Sequence, residues 1–194
     1  MNINKIKFLN IFLATLIVEL IILIFFRFTK SVFTGQAAND WYDKLRWSAI
    51  ILDILSVMIG FYLNIFLNKY LKLNNYYYLL FLQILVQVTH DILFYFFVIL
   101  KSKKGNSLVM DEFKSYSSKI SYGAIIGDSW MYSMGIPILV TSLNYSSEKL
   151  IFTSLVCLYL IGYLVYQKPL YKYSSNYLEY LIPILLNLNF FKNN

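Results

Sequence analysis

Apolar residues run in long unbroken blocks along this chain, and the blocks are separated by short polar links rich in lysine. The blocks cover 8–26, 47–67, 76–100, 120–143 and 150–166. Each meets or approaches the roughly 17–25 residues that a helix needs to cross the hydrocarbon of a bilayer. A β-barrel would show short segments of strictly alternating polarity, and these runs are continuously apolar. The pattern therefore predicts an all-α, polytopic transmembrane bundle of five spans, forming a single domain over 1–194.

Two segments are less clear-cut. The first run is preceded by Lys5 and Lys7 and followed by Arg27 and Lys30, and it is longer than the 7–15 apolar residues of a signal peptide, so it reads as a retained span. The stretch 177–191 is short and carries Glu179, Pro183 and Asn187 on one helical face, which suits either a short sixth span or an interfacial helix. In the longest link, Gly105 and Asn106 signal a turn. Beyond them Val109, Met110, Phe113 and Tyr116 form one apolar face, predicting an amphipathic helix lying along the membrane surface.

Composition sharpens this picture. Apolar residues make up 59% of the 194 residues, against about 45–50% in ordinary soluble domains. The net charge of +7 is spread over short links rather than gathered into a patch. That excludes nucleic acid as a partner and points to a lipid bilayer with anionic headgroups on the cytoplasmic side. A homo-oligomer is compatible with such a bundle. With five spans, twelve Lys and Arg residues fall on one side and five on the other, placing the amino terminus outside and the carboxyl terminus in the cytoplasm. One cysteine, Cys157, excludes an internal disulfide, and one histidine, His90, excludes a paired-histidine zinc motif. No metal or other cofactor is expected. The aromatic groups at run ends, including Trp41, Tyr42, Trp47 and Tyr76 to Tyr78, read as interfacial anchors.

The chemistry resides in four acids inside the spans, Glu19, Asp53, Asp91 and Asp128. Ionisable groups at mid-helix cost about 2.5–3.5 kcal/mol on insertion scales, so they normally face the bundle interior. Counted from the basic residues at the cytoplasmic ends, they lie about 12, 10, 15 and 14 Å deep, which is one layer. Polar or small stripes extend from them: Asp53, Ser56, Gly60 and Asn64 on the second span, and Gln83, Gln87 and either His90 or Asp91 on the third. On the fourth span, Gly123, Gly127, Met131 and Gly135 form a small-residue series, with Gly123 and Gly127 expected to bring that helix close to the third. Adjacent helical residues point about 100° apart, so His90 and Asp91 should not pair by themselves. A histidine dyad would need Asp53 or Asp128.

Three functions fit these residues. The acids, Gln87 and His90 would bind or relay a proton, cation or small polar ligand; or they would form a hydrogen-bonded network in a structural or assembly protein without a substrate; or His90 would serve an intramembrane lipid-acting enzyme. No catalytic residue is assigned. The stretch from His90-Asp91-Ile-Leu-Phe-Tyr through Gly105-Asn106, Met110-Asp111-Glu112-Phe113-Lys114 and Gly127-Asp128-Ser129 resembles multi-span membrane proteins of large DNA viruses. The abundance of Asn, Lys, Ile and Tyr fits an AT-rich genome of that kind. The resemblance implies no activity, cofactor or site residue.

Overall fold

A computed structural model describes residues 5–28, 35–73, 75–120 and 122–169. Their helices are α1 (Phe8–Phe28), α2 (Gly35–Leu45), α3 (Trp47–Tyr70), α4 (Tyr76–Phe94), α5 (Leu108–Ile120), α6 (Tyr122–Ser142) and α7 (Ser147–Tyr166). Helix α4 continues through a π-helical turn, Tyr95–Ile99. No strand occurs among the described residues. The predicted feature at 177–191 lies outside them.

Local signals explain the helix starts. Asn75 accepts from the Tyr77 amide before α4, and Ser146 accepts from the Lys149 amide before α7, each satisfying one of the four amides a helix leaves unpaired at its start. Pro137 does not end α6, which runs continuously through it. The Thr141 hydroxyl donates to the Pro137 carbonyl at 2.8 Å.

Helix α1 is the hub. It packs against α7, α6, α3 and α2, and Leu13, Ala14, Leu16 and Leu23 are wholly buried. Its antiparallel run against α6 is marked at three levels. The Asn10 amide donates to the Ser142 carbonyl at 2.9 Å, Val18 faces Gly135, and the rings of Phe25 and Trp130 lie 6.1 Å apart. Helix α4 packs on α3 and α6.

Four helical segments are long and apolar enough to cross a membrane: Phe8–Phe28, Trp47–Tyr70, Tyr76–Ile99 and Ser147–Tyr166. The five-span expectation is thus met for four, and the remaining block forms α6. That helix has the length of a span, but three glycines, three serines and Asp128 dilute its apolar character.

Helix α2 was not expected at all. Its Ala38, Trp41, Tyr42 and Leu45 recur at the spacing of one helical face and are buried. Trp41 and Tyr42 are therefore core residues rather than interfacial anchors. Helix α5 forms as predicted, yet its apolar face meets protein: the Phe113 and Tyr116 rings lie 4.6 and 6.5 Å from the Trp41 ring. The polar rims pair as well, Lys44 with Glu112 at 2.8 Å and Lys119 with Asp40 at 3.2 Å. Together α2 and α5 cap one end of the bundle.

The cap is anchored by Arg27, whose side chain is 0% exposed. Its guanidinium donates to Asn39 and Asp43 of α2, each at 2.8 Å, and to the carbonyls of Leu164 and Val165 in the last turn of α7 at 3.1 and 3.0 Å. Helix C-terminal carbonyls carry partial negative charge and lack intrahelical donors, so one planar cation meets several needs at once. Arg46 reinforces this end, donating to the Val165 carbonyl at 3.3 Å and lying over the Tyr166 ring.

Candidate acidic layer

The four acids Glu19, Asp53, Asp91 and Asp128 are gathered into two neighbouring clusters. In the first, the Tyr42 hydroxyl lies within hydrogen-bonding reach of both Glu19 and Asp53, and the Trp41 indole donates to Asp53 at 3.4 Å. Helix α2 thus bridges an acid from α1 and one from α3. Glu19 is buried, and its Oε1 has no hydrogen-bond partner among the described residues.

In the second cluster, the Gln87 amide donates to Asp91 Oδ1 at 2.6 Å and reaches Asp128 Oδ2 at 3.5 Å. The carboxyls of Asp91 and Asp128 also lie within hydrogen-bonding reach of each other. The polar stripe of α4 therefore meets α6 as a linked group: a carboxyl on each helix and an amide between them. Asp53 stands within electrostatic range of Asp128, and Tyr116 and Tyr132 sit within range of Asp53, Asp91 and Asp128 together.

No protein-family model, curated protein or solved structure matches this chain.

The remaining expected site residues fall as follows. His90 and Asp91 do pair, at 3.2 Å from Nδ1 to Oδ1, contrary to the expectation from their helical positions. Backbone direction alone sets that expectation; side-chain torsions let both groups lean together. His90 is 51% exposed on its side chain and stacks on Phe94, so it sits on the outer side of Asp91 rather than inside the layer. The described contacts bring no second carboxyl onto its ring. Gly123 and Gly127 are only half-buried, although α6 does pack against α4 as expected. A Cβ on Gly135 would stand 2.5 Å from Phe61 Cζ, and one on Gly60 would stand 2.7 Å from the Tyr132 hydroxyl. The tightest glycine contacts are thus with side chains: Phe61 of α3 and Val18 of α1 at Gly135, and Tyr132 of α6 at Gly60.

Residues missed from sequence are Tyr42, Trp41, Tyr116, Tyr132 and Arg27. For Trp41 and Tyr42 the helical face of α2 was the available signal. Tyr132 lies four residues after Asp128 on the same face of α6, and its hydroxyl donates to the Ser56 carbonyl at 3.1 Å. Neither described cleft touches the acids: one lies at Leu13, Pro137 and Tyr145, the other at Trp47, Gly162 and Tyr166.

The cap confers an alkaline sensitivity. Burial, then the nearby Glu19 and Asp53 carboxyls, pushes the Tyr42 hydroxyl well above its ordinary range. Burial, then Asp128, does the same to Tyr116, and the hydrogen bond to Glu112 raises Lys44. Folded values above unfolded ones mean stabilisation that is complete below the unfolded pKa of about 10 and lost as pH rises past it toward the folded value. Lys44 contributes little because it is exposed. Thermal unfolding in detergent should therefore show wild type losing stability above about pH 10. Tyr42→Phe should lose less over that window, and equal losses would remove Tyr42 as the cause.

Proposed function

We propose that this chain crosses the membrane five times and that its clustered carboxyls hold and relay protons. The observation carrying this reading is the Gln87 bridge between Asp91 and Asp128, with the Glu19–Tyr42–Asp53 cluster beside it. A hydrogen bond between two carboxyls needs a proton between their oxygens. Ionisable groups in a membrane interior are a functional site by default because their cost has to be offset by a role. Tyrosine hydroxyls between the clusters add donors and acceptors.

Helix α6 is the fifth span in this reading, supported by its antiparallel path along α1 from Ser142 back to Trp130. The excess of basic residues places the α2–α5 cap on the cytoplasmic side and the amino terminus outside. Cysteine placed at Ser146 in a Cys157→Ser background should react with an impermeant thiol reagent from outside, and cysteine at Ser102 should not. Labelling at Ser102 alone would invert the orientation.

Proton flux tests the relay. Liposomes containing the purified protein and a trapped pH dye should dissipate an imposed pH gradient faster than protein-free liposomes. Asp91→Asn and Asp128→Asn should fold normally and abolish the difference. Wild-type liposomes no leakier than empty ones would end the relay reading.

A structural or assembly role is the second reading, favoured by a specific pattern. Buried amides also tie helices where there is no acid, as in Asn10 with Ser142 and Asn64 with Gln83, and no described cleft reaches the carboxyls. Normal folding without flux would select it.

A further inference from the structure

Away from the cap, the interface of α3 and α4 holds three buried amides. Asn64 Nδ2 donates to the Leu79 carbonyl at 2.9 Å and to Gln83 Oε1 at 2.7 Å, and Asn68 Nδ2 donates to Asn64 Oδ1 at 2.7 Å. All three side chains belong to residues that are 0% exposed. Two of their atoms nevertheless lack partners among the described residues: the acceptor Asn68 Oδ1 and the donor Gln83 Nε2. A buried amide without its hydrogen bond is costly anywhere and more so inside a bilayer, where lipid supplies no substitute.

The residues that carry them follow one another along the two helices. Asn68 sits in the last turn of α3, next to the hairpin bearing Lys69 and Lys72. Asn64 is one turn deeper, and Gln83, Gln87 and Asp91 follow at four-residue intervals along α4. Gln87 closes the step to Asp91 directly. No hydrogen bond closes the step from Gln83 to Gln87, whose backbone positions are about 6 Å apart, roughly twice the length of one hydrogen bond. Gln83, on the near side of that step, carries the orphan donor. At the far end, Asp91 Oδ2 has no donor among the described residues beyond the neighbouring Asp128 carboxyl.

We infer that the α3–α4 interface is a water-binding path leading from the hairpin end of the bundle, past Asn68, Asn64, Gln83 and Gln87, to the Asp91–Asp128 pair. The ligand is water, which is both donor and acceptor and so serves the Asn68 oxygen, the Gln83 nitrogen and the Asp91 oxygen alike. Buried waters typically make about three hydrogen bonds to otherwise unsatisfied groups, and amides and carboxyls supply them here. Apolar atoms could not pair with these sites, and a metal cation would be repelled by the Gln83 amide hydrogens.

The path takes its purpose from the relay reading, but its presence is measured without flux. Single cysteines at Asn68 and Gln83, in a Cys157→Ser background in liposomes, should react with a small, charged methanethiosulfonate added on the hairpin side. Cysteines at Phe81 and Leu85, which face outward from α4, should stay unreacted because thiolates form only where water reaches. Hydroxyl-radical labelling of the unmodified protein gives a second measure independent of any variant: Leu79, though buried, should be oxidised by radicals formed in water beside it. Reactive cysteines with oxidised Leu79 but no proton flux would keep the path and end the relay. Unreactive Asn68 and Gln83 cysteines, or, where those variants fail to fold, an unlabelled Leu79, would overturn the path.

Discussion

Replacing Arg27 by methionine should destabilise the protein by about 3 kcal/mol, the lower end of the range for removing one partner of a buried charged network. The lower end applies because Asp43 is 28% exposed and water recovers part of its charge. The loss has several components. Asp43 loses its ion pair with Arg27, Asn39 loses a donor, and the carbonyls of Leu164 and Val165 each lose one of two donors, keeping the Gln167 amide and Arg46. Methionine fills the volume, so the experiment isolates the polar contacts from packing. Arg27→Lys should recover only part, since an ammonium cannot meet acceptors from two helices with one planar fork. Equilibrium unfolding in mixed detergent would measure both. A methionine variant as stable as wild type would show that the cap holds through its apolar face alone.

Gly135→Val should cost about 1–3 kcal/mol or more through overpacking. Even the first added carbon would stand 2.5 Å from Phe61 Cζ, and Phe61 is wholly buried with its ring against Tyr132. The ring cannot swing aside without disturbing its packing on Tyr132, and Val18 of α1 closes the other side at 3.4 Å. Phe61→Leu shortens the obstructing side chain. Combined with Gly135→Val, it should restore part of the lost stability, giving a favourable coupling between the two sites. Additive losses in that double variant would mean that Phe61 is not the obstacle. Gly123→Val, at a half-buried position, should cost less than Gly135→Val.

The long apolar blocks announced α1, α3, α4 and α7 because hydropathy alone decides whether a long helix suits a bilayer. Helix α6 was found at nearly its full extent, but Gly, Ser and Asp128 make it the least apolar of the long helices, so hydropathy alone does not mark it as a span. Helix α2 escaped because eleven residues of mixed polarity look like a loop when each aromatic is read singly. Only the joint spacing of Ala38, Trp41, Tyr42 and Leu45 reveals the face. Depth along each helix was legible for the four acids because helical rise is constant. Azimuth was legible only in part: the Gly123/Gly127 face turned Asp128 toward Asp91, whereas the meeting of Glu19 and Asp53 at Tyr42 depends on how neighbouring helices rotate, which pairwise packing sets. Arg27 shows the same limit, for a basic residue at a span end reads as a topology signal, and nothing local tells that it is enclosed by α2 and α7.

The π-helical turn at Tyr95–Ile99 bears on how this helix can vary in length. Such a turn accommodates one residue more than an α-helical turn, and the surplus rotates everything beyond it relative to everything before. Gln83, Gln87 and Asp91 lie before it, and Ile99 and the lysines of the following link lie at its end or after. A deletion of one residue within 95–99 should therefore be absorbed by rewinding to an α-helix, with the acid pair left in register. The same deletion between Gln83 and Asp91 has no surplus to draw on and would turn one of those side chains away from its partners.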